Sequence, residues 1–231
     1  MGAFAAYSKG APVRVIGAEI TGAGDLFWYV KADSPIKTIG DADGKTIAYS
    51  TNGASTHGIV SAFVKQYVPN AKPTPTGGPP GTLTAVMSGQ VDVGWSAPPF
   101  GLDQLDRKEI RQIATGNDTV FKGQTVRLLV TNAQTLASRQ DAIERYVAAY
   151  RETVDWMYSD PAALKAYAEF ASITEAKAQR IRDGFFPKSA LSPDTITGLD
   201  MIVPDAVSLK FTAAPLSKEQ LADLIRIPPR K

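Results

Sequence analysis

The chain has 231 residues, of which 44% are apolar and 21% charged, with 19 Gly and 16 Pro. At about 150 residues per domain this is one or two globular domains with a sizeable core, and neither a disordered nor a fibrous chain. The net charge of +2 excludes a basic nucleic-acid footprint, and the absence of cysteine excludes disulfide frameworks, cysteine-based zinc sites and thiol catalysis.

In chain order, Val13–Ala18 and Leu26–Lys31 are β-branched or aromatic runs around the turn-rich Thr21-Gly22-Ala23-Gly24-Asp25, and predict two strands and a loop. Asp41–Gly44 breaks the chain before a third strand over 45–50. A helix over about 54–67 follows, with Ile59, Phe63 and Tyr67 at near-helical spacing, and then an extended piece over 72–76. After Gly77-Gly78-Pro79-Pro80-Gly81 a second helix carries Leu83, Val86 and Met87 on one face. A strand over 91–96, a short helix near 98–106 and a strand over 110–115 continue the alternation, which predicts a parallel α/β sheet.

Residues 125–131 read as another strand, and beyond them the chain turns helical. Ser138 with Asp141 forms a capping-box start, and Ile143, Val147, Tyr150, Val154 and Met157 make a stripe of core type. Asp160-Pro161 is an N-cap followed by an N1 proline, Ser192-Pro193 repeats that start, and Ser217 with Gln220 opens a last short helix. The expected organisation is one α/β lobe over 42–118 and another built from 1–41 and 119–231, joined by two crossing segments that make a natural hinge. No run approaches the ~18 apolar residues of a membrane span. The first residues, Met1 to Lys9, lack the basic start and apolar run of a signal peptide, so the signal is expected to be absent from this chain.

Three stretches carry candidate chemistry. Ser50-Thr51-Asn52-Gly53-Ala54-Ser55-Thr56-His57-Gly58 joins a strand to a helix. Its small and hydroxyl residues suit either a helix capped by Ser55 or Thr56, or a helix terminus whose N–H groups bind anionic oxygens beyond the carboxyl end of a strand. Thr76-Gly77-Gly78-Pro79-Pro80-Gly81-Thr82 lies at the next such junction; it lacks the Gly-Lys-Ser/Thr ending of a P-loop and reads as a rigid pocket wall that includes Gly77. Val91 to Phe100 brings Trp95 and Ser96 to the same rim, Trp95 serving as core or as an aromatic shelf. Asp25 is a turn-former or a contact for a ligand amine. His57 is the only histidine and no Gly-x-Ser-x-Gly pattern occurs, so no catalytic triad, no metal site and no cofactor are expected. Arg14, Arg127 and the helix charges read as a solvated surface.

Four further stretches are distinctive together: Gly10-Ala11-Pro12-Val13-Arg14-Val15-Ile16-Gly17, Asp33-Ser34-Pro35-Ile36-Lys37 with Asp41-Ala42-Asp43-Gly44-Lys45, Met87-Ser88-Gly89-Gln90-Val91-Asp92-Val93-Gly94, and Tyr150-Arg151-Glu152-Thr153 with Asp160-Pro161. In their order and spacing the sequence resembles the ABC-transporter substrate-binding proteins of the nitrate/sulfonate/taurine class. The resemblance implies a two-lobed type II periplasmic binding architecture that closes on ligand about hinges near 38–42 and 118–125. Ligand contacts would come from Thr51, Asn52, Gly53, Ser55, Thr56 and His57, with Trp95 and Ser96 beside them. The first lobe is expected to be incomplete, about 80 residues short of the family pattern by ordinary element lengths. Either the sequence is a fragment or two chains complete one another as a dimer by exchanging elements.

The implied function is that of a non-enzymatic, periplasmic solute-binding protein. It would capture a small organic anion of sulfonate, nitrate, taurine or aromatic carboxylate type in the cleft between lobes and present it to a membrane permease. The same fold is similar to the thiamine-pyrimidine synthases, which leaves an enzyme or a pyrimidine-precursor binder as the alternative; those enzymes carry a Cys-rich motif that this chain lacks.

Overall fold

The computed structural model describes residues 1–230. In chain order its elements are α1 (Gly2–Ser8), β1 (Val13–Thr21), β2 (Phe27–Lys31), β3 (Thr46–Tyr49), α2 (Ser55–Gln66), β4 (Lys72–Pro75), α3 (Pro79–Met87), β5 (Gly94–Ser96), α4 (Leu102–Asp106), β6 (Ile110–Thr115) and β7 (Thr125–Asn132). Six helices follow: α5 (Ala133–Ser138), α6 (Gln140–Ser159), α7 (Pro161–Ala171), α8 (Glu175–Phe185), α9 (Leu199–Ser208) and α10 (Lys218–Leu224). The chain divides into two compact units, residues 1–22 with 123 onward, and 23–122. The first crossing therefore falls before β2 and not at 41/42, because β2 pairs with β5 and β6 and is held in the second unit by their hydrogen bonds.

In the 23–122 unit β2 is the central strand. It runs antiparallel to β5, with Trp28 opposite Trp95, and antiparallel to β6, with Phe27 opposite Thr115. β3 and β4 are parallel, from Thr46 opposite Lys72 to Tyr49 opposite Pro75, and a parallel bridge from Ile47 to Val93 joins β3 to the approach of β5. The sheet is thus mixed, where strand and helix alternation predicted a parallel one. β2 enters from the crossing segment without a crossover helix, and only parallel neighbours require one. Trp28, Ile47, Ile59 and Phe63 fill the core beneath α2. Trp28 donates Nε1–H to the Ala48 carbonyl at 2.9 Å and meets Phe63 edge-on at 5.1 Å. Gly94 is required here, since a Cβ would lie 2.6 Å from the Tyr29 ring.

In the other unit β1 and β7 form a long antiparallel ribbon, and their alternation sends side chains to two cores. Val15 packs with Phe4, Ile202, Ala206, Leu216 and Leu224, while Ile16 packs with Ile143 and Val147 of α6. Asp160 caps α7 by accepting from the Ala162 N–H at 2.8 Å, and Ser217 with Gln220 closes the expected capping box on α10. Ser138 is not an N-cap: it is the last residue of α5, its hydroxyl donates back to the Gln134 carbonyl, and α6 starts from Arg139. Ser192-Pro193 opens no helix, because that segment lies along β1, where the Ala18 N–H donates to the Pro193 carbonyl at 3.0 Å.

Arg14 and Arg127 are engaged, contrary to the solvated-surface expectation, whereas helix charges such as Arg145 and Asp141 stay exposed as expected. Arg14 pairs with Asp223 at 2.8 Å and Arg127 with Glu19 at 3.1 Å. Arg151, only 8% exposed, bonds Asp194 and the carbonyls of Pro228 and Pro229, which ties the last residues to α6. No helix among the described residues is long and apolar enough to cross a membrane.

Candidate ligand-binding site

Because β3 and β4 are parallel and adjacent, the loops that follow them emerge side by side at the carboxyl edge of the sheet. They are stitched together: the Thr76 N–H donates to the Tyr49 carbonyl at 2.9 Å and the Gly77 N–H to the Ser50 carbonyl at 3.1 Å. Gly77 sits at φ +73°, a left-handed conformation that turns the chain from β4 toward α3. Its N–H is already used, so Gly77 shapes the loop and does not itself offer a donor.

The start of α2 departs from the capped-helix expectation. The N-cap is Ala54, which carries no side-chain acceptor, and neither Ser55 nor Thr56 caps the helix. Thr56 is 3% exposed, and its hydroxyl accepts from the Ser50 N–H at 3.0 Å and lies 2.7 Å from the Ser50 hydroxyl, pinning the loop to the helix. The Ser55 and Thr56 N–H groups and the Ser55 hydroxyl have no partner among the described residues. There is no acidic residue in the first turn of this 12-residue helix. Its positive dipole end is therefore uncompensated and lined with donors, which is the physical requirement for an anion site.

His57, third in the helix, reaches back past the N-cap to the turn before it: its Nδ1 accepts from the Gly53 N–H at 3.1 Å. That assigns the proton of the neutral ring to Nε2. The imidazole stacks on Tyr49, centroids 4.6 Å apart at 24°, and burial holds its pKa below the ordinary histidine value. The Tyr49 hydroxyl in turn donates to Asn52 Oδ1 at 2.6 Å. Thr51, Asn52 and Gly53 are exposed, and Gly53 takes φ +86° to make the turn. Tyr49 and Ser50 order this cluster: Ser50 opens the stretch singled out in the sequence without being named as a contact, and Tyr49 had no signal beyond its place at the end of the strand.

Trp95 and Ser96 do not form an exposed rim. They are 7% and 2% exposed, as expected for a strand placed directly against β2, and Ser96 Oγ donates to the Phe100 carbonyl at 3.0 Å. The Trp95 indole N–H is buried without a hydrogen-bond partner among the described residues. Asp25, also 2% exposed, occupies the turn closed by the Leu26 N–H on the Ala23 carbonyl.

A profile of the family described as NMT1/THI5 like matches residues 2–164, well over half of the sequence. The chain belongs to that family. Among solved structures, the periplasmic aliphatic sulphonate binding protein SsuA of Escherichia coli superposes with a TM-score of 0.75 at 17% identity, covering 98% of this chain and 73% of that one. The alkanesulfonate-binding protein SsuA of Xanthomonas axonopodis pv. citri, bound to MOPS, gives 0.77 at 16% identity over 96% and 76%. The desulfurization enzyme DSZB gives 0.56 at 14% identity over 91% and 76%. These likenesses establish the two-unit α/β fold of periplasmic binding proteins, the architecture that the resemblance implied. A search of curated proteins finds no sequence match.

Proposed function

We propose that this chain is the extracytoplasmic solute-binding component of an ABC importer, capturing a small organic anion at the start of α2 and passing it to a membrane permease. The observation that carries the reading is the N-terminus of α2: a helix dipole without a side-chain cap, without an acidic first turn, and with the Ser55 and Thr56 N–H groups and the Ser55 hydroxyl unengaged. Three such donors suit a three-oxygen headgroup, which an organic sulfonate and nitrate both offer and an aromatic carboxylate does not, and of the first two the sulfonate is placed first. Two of the superposed proteins carry sulfonate binding in their names, in support of that order.

Titration calorimetry of the purified protein with a short alkanesulfonate, taurine, nitrate and benzoate tests this. The expected result is one-to-one binding that is strongest for the alkanesulfonate, with the ligand recovered unchanged. Absence of saturable heat for all four anions would overturn the reading. A desulfurization enzyme shares the fold, so mass analysis of the recovered ligand separates binder from enzyme: a chemically altered product would favour the enzymatic alternative.

A further inference from the structure

The 1–22/123-onward unit contains a pocket of about 240 Å³ that lies wholly within that unit and has no part in the anion reading. α6 supplies Tyr150 and Met157, α7 supplies Ala163, Leu164 and Tyr167, and the turns after α8 add Phe186 and Leu191. The walls are apolar, and the charges at their edge are internally matched. Glu19 pairs with Arg127 at 3.1 Å, and Arg182 pairs with Asp183 at 2.7 Å while donating to the Met157 carbonyl.

Two neutral groups differ from the rest: the hydroxyls of Tyr150 and Tyr167 bond to nothing among the described residues. Burial raises the pKa of both, that of Tyr150 to about 12, so both remain protonated donors at neutral pH. A charged ligand would have to displace an existing ion pair or sit in an apolar site without a counter-ion, whereas a neutral hydroxyl needs only a neutral partner such as the phenol of a lining tyrosine. The volume lies between the about 150 Å³ that accommodates benzene and the roughly 300 Å³ of the smallest drug-sized sites.

We infer that this pocket is a second binding site, for a small neutral ring compound bearing one hydroxyl or comparable hydrogen-bonding group, and that it is chemically opposite to the anion site at α2. The chain has four methionines, and Met157 lies in the wall, so methyl-labelled methionine reports occupancy directly. The probe is 4-methylphenol, with 4-methylbenzoate and 4-methylbenzylamine as its charged counterparts and toluene as its apolar one.

4-Methylphenol is expected to shift the Met157 methyl saturably while leaving Met87 unmoved, and to bind at least tenfold more tightly than either charged analogue. Ala163→Leu should fill the pocket and weaken this binding at least tenfold; if that variant fails to fold, Leu164→Phe serves the same purpose. Tyr150→Phe combined with Tyr167→Phe should abolish the preference for 4-methylphenol over toluene. An unsaturable Met157 shift, equal binding of the benzoate, or unchanged affinity in a folded pocket-filling variant would each overturn the inference. None of these outcomes depends on whether α2 binds an anion.

Discussion

α2 and α3 begin at the ends of two adjacent parallel strands, in loops bonded to each other, yet their first turns are chemically opposite. Both helices have a dipole, and both have an N-cap without a side-chain acceptor, Ala54 and Gly78. α3 then starts with Pro79 and Pro80, which have no N–H to give, and the Thr82 hydroxyl donates back to the Gly78 carbonyl. α2 starts with Ser55 and Thr56, whose N–H groups are available. If α2 is the anion site proposed above, donor supply, more than the dipole, is what separates its terminus from the structural one of α3.

The most severe way to break this contrast is to give α2 its own anion. Ala54→Asp places a carboxylate at the N-cap, where it accepts from the first-turn N–H groups. The helix should gain about 0.5–2 kcal/mol of stability. Alkanesulfonate binding should fall at least a hundredfold, since the ligand loses its donors and meets a like charge, a cost of several kcal/mol. The thermal midpoint and the calorimetric Kd must therefore move in opposite senses; a more stable variant that binds as well as wild type would remove the ligand from α2.

A milder change converts the α2 start into that of α3. Ser55→Pro removes one N–H and one hydroxyl at the helix position where proline is best tolerated, and Ala54, at φ −70° and ψ 164°, already has the backbone that a residue before proline adopts. Stability should be nearly unchanged while binding weakens by about 1.5–3 kcal/mol, the range for a hydrogen bond to a charged group. Ser55→Ala, which deletes the hydroxyl alone, should retain more of the affinity than Ser55→Pro. If the two lose affinity equally, the backbone N–H takes no part.

What the sequence made legible follows from how local each signal is. The rhythm of β3, α2, β4 and α3 was readable because each helix follows its strand within a few residues and carries its own apolar stripe. The loop at 50–58 stood out for the same reason. The antiparallel course of β2 was hidden, since its partners β5 and β6 lie far along the chain and a strand encodes no direction. α8 was overlooked although Thr174 accepts from the Lys177 N–H, and α9 starts after Gly198 without any side-chain cap to mark it. Within the site, the absence of a cap on α2 was invisible, because serine and threonine are the residues that usually provide one. Only the bond from Ser50 to Thr56 shows where that hydroxyl goes. The burial of Trp95 likewise depends on its placement against Trp28 across the sheet.

The smallest effect concerns His57, which distinguishes the two helix starts by titrating. Burial lowers its pKa in the folded state, so the fold prefers the neutral ring that accepts from Gly53. The stability this contributes is complete above the unfolded value of about 6.5 and is lost as pH falls from there through the folded pKa. The group is partly solvated, so the effect is modest, but His57 is the only histidine, and subtracting His57→Gln from wild type isolates it. The wild-type midpoint should decline relative to the variant between pH 7 and pH 5. An anion bound at the same turn favours the protonated ring, so alkanesulfonate affinity should rise as pH falls through this window in wild type and stay flatter in His57→Gln. A parallel pH dependence in the two proteins would separate His57 from the bound anion and leave the Ser55 and Thr56 donors to account for recognition.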